Sequence, residues 1–259
     1  MEHQKIIEAI KKKKLFFTVT TGRSGTGYLA HTLNKHPKIM ATHEPTPAFH
    51  HELRNIQNNP NQAKQFWLEK KIPEILESNK HIYIETSHLI CKGFLEPLIE
   101  LEIVPNLILV NRNNRAVAQS MLRLNTIPGR TALGLDYYLH PSDNVKLPIR
   151  NWKSLSDYQL CYWYTLEIVA RQRYYTNMFK DLGSEIFTLN FEDFVNSNDS
   201  IFEFLSRISL NPFNPIFWIR ALKRKRINNK TELKSNYFPS INYIQEEVEV
   251  QQLIKQHAS

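Results

Sequence analysis

The sequence predicts an α/β domain of three layers, a central and mostly parallel sheet with helices on both faces. Three observations lead there. Apolar, strand-like runs near 15–20, 38–42, 81–85, 107–111 and 186–190 alternate with helical segments, the order that a parallel sheet requires. Leu107 to Val110 is a continuous apolar run, suited to a strand covered on both faces. Finally, Gly22, Gly25 and Gly27 fall within six residues, between the first strand and the first helix. A chain of 259 residues with 42% hydrophobic and 22% charged residues fits one large domain. Its core spans about 15–208, followed by a helical extension over 211–259.

Met1 to Lys14 is polar and ends in Lys11-Lys12-Lys13-Lys14. The apolar run after it is short and has no small-residue cleavage site, so it reads as the first core strand and not as a signal peptide. The lysines precede the amino end of that strand, the edge away from any ligand, and read as a solvated run. The strand Leu15 to Val19 feeds the loop Gly22-Arg23-Ser24-Gly25-Thr26-Gly27, and a helix starts at once. Such a junction aims backbone N–H groups and the positive end of a helix dipole at a phosphate. Gly22 and Gly27 have the spacing of a nucleotide-triphosphate P-loop, but Tyr28 and Leu29 stand where its lysine and its Mg²⁺-holding hydroxyl belong. Arg23, flanked by Ser24 and Thr26, suits an anion clamped directly and not through a cation.

His36-Pro37 stops the first helical pattern, and Lys38 to Thr42 is a short strand ending in His43-Glu44-Pro45. A carboxylate there is placed to take a proton from a bound hydroxyl, while His43 points to the opposite side of the strand. Prolines 45, 47, 60 and 73 break the next segment, where Ala63 to Leu68 and Ile72 to Leu76 are helical. The strand at 81–85 runs into Glu85-Thr86-Ser87-His88, and a helix follows near 94–102. His88 or Glu85 is left to line a pocket. Leu107 to Val110 delivers Arg112 to the carboxyl end of its strand, where ligands of open α/β sheets bind. Asn113 or Asn114 caps a helix with Val117, Met121 and Leu124 on one stripe. Residues 125–156 hold Pro128, Gly129, Gly134, Pro141 and Pro148 and no sustained period, as segments that cover a site often do. An amphipathic helix is expected over 157–180, its aromatics in the core. Ile186 to Phe191 is a strand, with helices after it near 200–208 and 241–256.

The chain resembles the sulfotransferases that use 3′-phosphoadenosine 5′-phosphosulfate (PAPS), and several segments carry the likeness. GRSGTGYL at 22–29 is similar to their 5′-phosphosulfate loop in the arginine-bearing form of the carbohydrate and tyrosyl-protein members. LILVNRNNRAVAQSML resembles their 3′-phosphate segment, with Arg112 and Ser120 matching its arginine and its serine eight residues on; Asn113-Asn114 replaces the usual Asp-Pro. HPKIMATHEP resembles HPxxxxxxEP, whose glutamate is the base in carbohydrate-type members, and FEDF at 191–194 resembles a YEDL at the same place. The resemblance implies a P-loop-NTPase-like sulfotransferase fold. It implies PAPS as donor, bound by Gly22, Arg23, Ser24, Gly25, Thr26, Gly27, Tyr28, Arg112 and Ser120, with no metal. Ile82 to Leu89 resembles the KTHLP segment of the cytosolic members, whose histidine is the base, with one extra residue here. His88 therefore competes with Glu44 as the base, and Glu44 is placed first; with Arg23 they are the catalytic candidates, and the acceptor is a saccharide or small molecule. A nucleotide-dependent kinase with a divergent P-loop and a non-catalytic nucleotide-binding module are the alternatives.

A net charge of +8 and a pI near 9.3 favour anionic ligands. No nucleic-acid motif accompanies the charge, so no nucleic-acid partner is expected. The cluster Lys223-Arg224-Lys225-Arg226 lacks the family's RKGxxGDWK pattern and is left without a role. No stretch approaches the about 18–20 apolar residues of a membrane span. Cys91 and Cys161 read as reduced thiols, and a cytoplasmic location is expected.

Overall fold

The computed structural model describes residues 2–215, 217 and 241–258, so the basic cluster at 223–226 lies outside the described residues. Five strands form one sheet: β1 (Lys14–Thr20), β2 (Ile39–Thr42), β3 (Ile82–Glu85), β4 (Asn106–Asn111) and β5 (Ile186–Asn190). Their order is β2-β3-β1-β4-β5, and every adjacent pair is parallel. All five agree with the runs read from the sequence to within a residue.

Side-chain alternation along β1 makes the three layers. Leu15, Phe17 and Val19 join one core with Tyr83 and Leu107, whereas Phe16 joins the other with Ile84, Ile108 and Phe187. The second core is closed by α2 (Thr26–Leu33), through Leu29 and Leu33, and by α11 (Asp199–Arg207), through Ile201, Phe204 and Leu205. The first core takes the other long helices, among them α7 (Asn114–Arg123) and α9 (Asp157–Asp181), which lie against each other.

Several elements depart from the expectations. The polar N-terminus forms α1 (Glu2–Ile10), because Ile6, Ile7 and Ile10 share one face and Ile10 is buried in the first core. Within the segment broken by prolines, α3 (His50–Asn58) buries Leu53 and Ile56. A π-helical turn at Trp67–Lys71 joins α4 (Asn61–Phe66) to α5 (Ile72–Glu77). The helix after β3 is shorter than expected, α6 (Glu96–Glu100). Residues 125–156 contain α8 (Ala132–Tyr137) and a 3₁₀ turn at Trp152–Ser154. Finally, α10 (Phe191–Asn196) begins where β5 ends.

The helix α9 is not amphipathic in its first half. Every residue from Tyr158 to Thr165 is buried, because the helix lies between β1, β4, α7 and the C-terminal helix Tyr243–Ala258. The start of α9 and the neighbouring α7 are pinned to the C-terminal helix. Ser156 and Gln159 form a complete capping box, and Gln159 also reaches Glu249 of the C-terminal helix at 2.8 Å. Arg115 holds Glu247 with two hydrogen bonds of 2.7 and 2.8 Å. Among the described residues no helix is long and apolar enough to cross a membrane. Cys91 and Cys161 are both free and buried.

Candidate active site

The strand order fixes where a site can form. The connection from β1 leads to β2 on one side, and that from β4 leads to β5 on the other, so the order switches between β1 and β4. A crevice at the carboxyl ends of such neighbours is where open α/β sheets place ligands.

The first cradle follows β1. Arg23 and Gly25 are both left-handed, at φ 68° and 75°, and turn the chain sharply into α2. Gly25 is the N-cap and no side chain caps the helix, so the first-turn amides present their positive end without a side-chain acceptor. A Cβ at Gly25 would lie 2.6 Å from the Phe191 ring, and one at Gly22 would lie 2.9 Å from Tyr138 Oη. Ser24 is fully buried, and its Oγ lies 2.7 Å from both Thr20 Oγ1 and the Thr21 carbonyl, so that hydroxyl braces the loop. The Thr26 carbonyl accepts from Thr86 Oγ1 at 2.8 Å, which ties the loop to the end of β3. Tyr28 stacks on Phe194 at 6.2 Å.

The second cradle follows β4, and it touches the first. Arg112 donates from Nη1 to the Arg23 carbonyl, and Arg23 donates from Nε to Ser120 Oγ at 3.2 Å. Asn113 is the cap of α7, accepting from the Ala116 amide at 3.0 Å, which sets Arg112 just ahead of the helix and Ser120 on it. The Phe191 ring lies 4.3 Å from the Arg112 guanidinium carbon, and Arg112 Nε is buried without a partner. Burial lowers the Arg112 pKa from its ordinary value, with Glu192 opposing. Three residues from different elements (Arg23, Arg112, Ser120) thus form one cationic cluster, with one buried N–H still to be satisfied.

The two candidate bases, read as rivals from the sequence, stand side by side. His88 Nε2 lies 3.5 Å from Glu44 Oε1, and that oxygen is buried with no hydrogen-bond partner. Glu44 itself is held at φ 49°. His43 is exposed and joined through Nδ1 to the Thr86 carbonyl at 2.9 Å, in keeping with a structural role. Over this pair lies the irregular segment: Tyr137 and Tyr138 approach His88 at ring distances of 6.3 and 5.4 Å, and Tyr137 stacks on His50 at 5.0 Å.

Glu85 lies elsewhere. It is fully buried, 3.0 Å from Lys71 Nζ and 2.9 Å from Tyr83 Oη, and burial pushes its pKa up to about 7. Lys71 also donates to the Pro47 carbonyl at 3.3 Å, so this pair supports the loop that carries Glu44 and does not line a pocket. Sequence reasoning passed over Lys92, which is fully buried against His88; its position four residues after His88 was the available signal. Phe191 was legible within FEDF, but its place over Arg112 was not. A surface cavity of about 430 Å³ lies beside Asn113, Arg115, Tyr162 and Glu247; neither Glu44 nor Arg23 lines it.

No family model matches the sequence, and no curated protein matches it. The fold is similar to that of a solved sulfotransferase domain from the curacin biosynthetic pathway. The two share 14% identity at a TM-score of 0.55, over 95% of this chain and 97% of that domain. The protein therefore has an α/β architecture of the kind found in a sulfotransferase, with a five-stranded parallel sheet flanked by helices.

Proposed function

We propose that the protein is a sulfotransferase that moves a sulfuryl group from PAPS to an acceptor hydroxyl of a saccharide or small molecule. The observation that carries this reading is the meeting of Arg23, Arg112 and Ser120 at the switch point. An anion at each end of one nucleotide needs two cradles a few ångströms apart, and a cluster shared between the loop and α7 supplies them. The residues fit the donor on three counts: the uncapped start of α2, the orphaned buried Nε of Arg112, and the Gly25 position that leaves no room for a side chain beside Phe191.

When bound, PAPS supplies the sulfuryl group and a nucleotide leaving group. The chain's own residues do the rest. Amides at the start of α2 and the Arg23 guanidinium hold negative charge that grows toward the loop, a preorganised electrostatic role. Arg112 and Ser120 recognise the 3′-phosphate, which separates this donor from ATP. Glu44 takes the acceptor's proton on the carboxylate oxygen that does not face His88 as the hydroxyl oxygen attacks in line. Tyr137 and Tyr138 cover the pair of Glu44 and His88 and limit water there. With Tyr28 and Leu29 in place of the P-loop lysine and hydroxyl, the loop needs no Mg²⁺.

Transfer of labelled sulfate from PAPS to a panel of hydroxyl acceptors tests the reading directly. Glu44→Gln should lower turnover by about 10²–10⁴-fold, the usual contribution of a positioned base, with unchanged binding of adenosine 3′,5′-bisphosphate. Phosphoryl transfer from ATP that depends on Mg²⁺, or no binding of the bisphosphate, would sink it.

A further inference from the structure

We propose that Lys92 is a positioning residue that fixes His88 as the tautomer protonated on Nε2, so that His88 turns an N–H toward Glu44 and leaves Glu44 to take the acceptor's proton. The role of Glu44 as base rests on the function proposed above; the tautomer does not.

Lys92 is fully buried, and its three donors can each be traced. One goes to the Tyr137 carbonyl, one lies 2.9 Å from His88 Nδ1, and the third faces the rings of Tyr138 and Tyr164, 5.0 and 5.2 Å from Nζ. An ammonium has no acceptor, so at 2.9 Å it is His88 Nδ1 that accepts. A neutral imidazole with Nδ1 bare carries its proton on Nε2, the nitrogen that faces Glu44 Oε1 at 3.5 Å. That oxygen is buried and has no hydrogen-bond partner in the protein.

His88 is then unable to act as the base. Nδ1 is occupied, Nε2 is already protonated, and a second proton would create an imidazolium against the Lys92 ammonium. Burial and Lys92, with His43, Arg23 and His50 adding to them, hold the His88 pKa well below its ordinary value. Burial also lowers the pKa of Lys92, to about 7, against opposing pulls from Cys91 and Glu44, with Arg171 and Arg54 lowering it further. Loss of that proton leaves two N–H groups and a lone pair able to accept from Nδ1, so the tautomer is fixed while Lys92 is charged and is read below about pH 7.

The test reads the tautomer itself. In the full chain with ¹⁵N-labelled histidine, long-range ¹H–¹⁵N correlation should show His88 with a bare Nδ1 and a protonated Nε2, assigned by its loss in His88→Gln. Lys92→Met should release it to a mixture of tautomers. A proton on Nδ1 in the unmodified protein, or an unchanged tautomer in Lys92→Met, overturns the proposal, and the first reading stands even if Lys92→Met does not fold. Kinetics add a second arm. Glu44→Gln should cost about 10²–10⁴-fold in the parent but less than about tenfold in Lys92→Met, where the freed imidazole takes over. The pH profile of Lys92→Met should then follow a histidine in place of a carboxylate. A lysine that is only structural would lower stability and leave the Glu44→Gln ratio unchanged. Should the tautomer be as stated while no sulfuryl transfer is found, the functional reading fails and the positioning role of Lys92 stands.

Discussion

Arg23 and Glu44 both hold positive φ, at 68° and 49°, a region that costs a non-glycine residue of order 1–2 kcal/mol. Each sits at the carboxyl edge of the sheet and each aims a charged group at the same crevice, so the strain fixes direction where function would need it. On the function proposed above, Arg112 is the residue that discriminates between donors. Arg112→Ala should weaken adenosine 3′,5′-bisphosphate far more than AMP in calorimetry, by at least about tenfold for one charge-assisted contact; equal losses would remove its assignment to the 3′-phosphate. Glu85 leads to a different prediction, about stability. Its pKa is raised from 4.5 to about 7, first by burial, with Lys71 pulling the other way. The folded protein therefore holds a proton there that the unfolded chain releases between pH 4.5 and 7. This contribution is fully present below about pH 4.5 and is lost as pH rises through 7, by at most about 3 kcal/mol at roughly 1.4 kcal/mol per pH unit. Denaturant midpoints of Glu85→Gln should lack that downward slope between pH 4.5 and 7, whereas curves parallel to the parent would refute it.

At the scale of elements, the turn from β1 into α2 depends on Gly25, and that turn also organises the neighbouring element. Gly25 is left-handed and packs directly under Phe191, the first residue of α10, whose ring covers Arg112. Gly25→Ala meets two penalties, a φ of 75° and a Cβ 2.6 Å from that ring. We expect a loss of more than about 1–2 kcal/mol, seen as a lower Tm. Bisphosphate affinity should fall with it, because a displaced Phe191 no longer orients Arg112. A variant with unchanged Tm and affinity would show that the loop has another way to turn. On the opposite side, Lys71 and Glu85 join the π-helical turn to β3 and to the loop after β2. Two independent braces thus converge on the segment that carries Glu44: the Lys71–Glu85 contact on one side, and the Thr86 hydroxyl from the β3 end.

For the whole molecule, the parallel order β2-β3-β1-β4-β5 sends the carboxyl ends of all five strands to one edge. Four of those ends carry the candidate residues: Gly22 to Tyr28 after β1, Glu44 after β2, His88 after β3 and Arg112 after β4. The net charge of +8 gives the molecule a long-range attraction for a multiply charged nucleotide. Association of adenosine 3′,5′-bisphosphate should slow as ionic strength rises from 0.05 to 0.5 M, by about tenfold, since the screening length falls over that range. Dissociation should change little, because the contacts that hold the ligand are short. Stopped-flow measurement of both rates would decide it, and an association rate insensitive to salt would rule out steering by the overall charge.

The local sequence determined the strands, the glycine turn, the Asn113 cap and the identity of the charged residues, because each depends on periodicity or turn chemistry within about ten residues. It did not reveal α1 or α3, whose few apolar positions are stabilised only by the core that they meet. It placed Glu44 ahead of His88 but could not show that the two stand side by side or that Lys92 stands behind His88, since those side chains come together through the pairing of β2 with β3. The joining of Arg23 to Ser120, 97 residues away, was likewise decided by the pairing of β1 with β4. Sequence sets which groups are present and which way each strand end points; only strand order sets which of those ends become neighbours, because hydrogen bonding between strands carries no trace in the local pattern of either one.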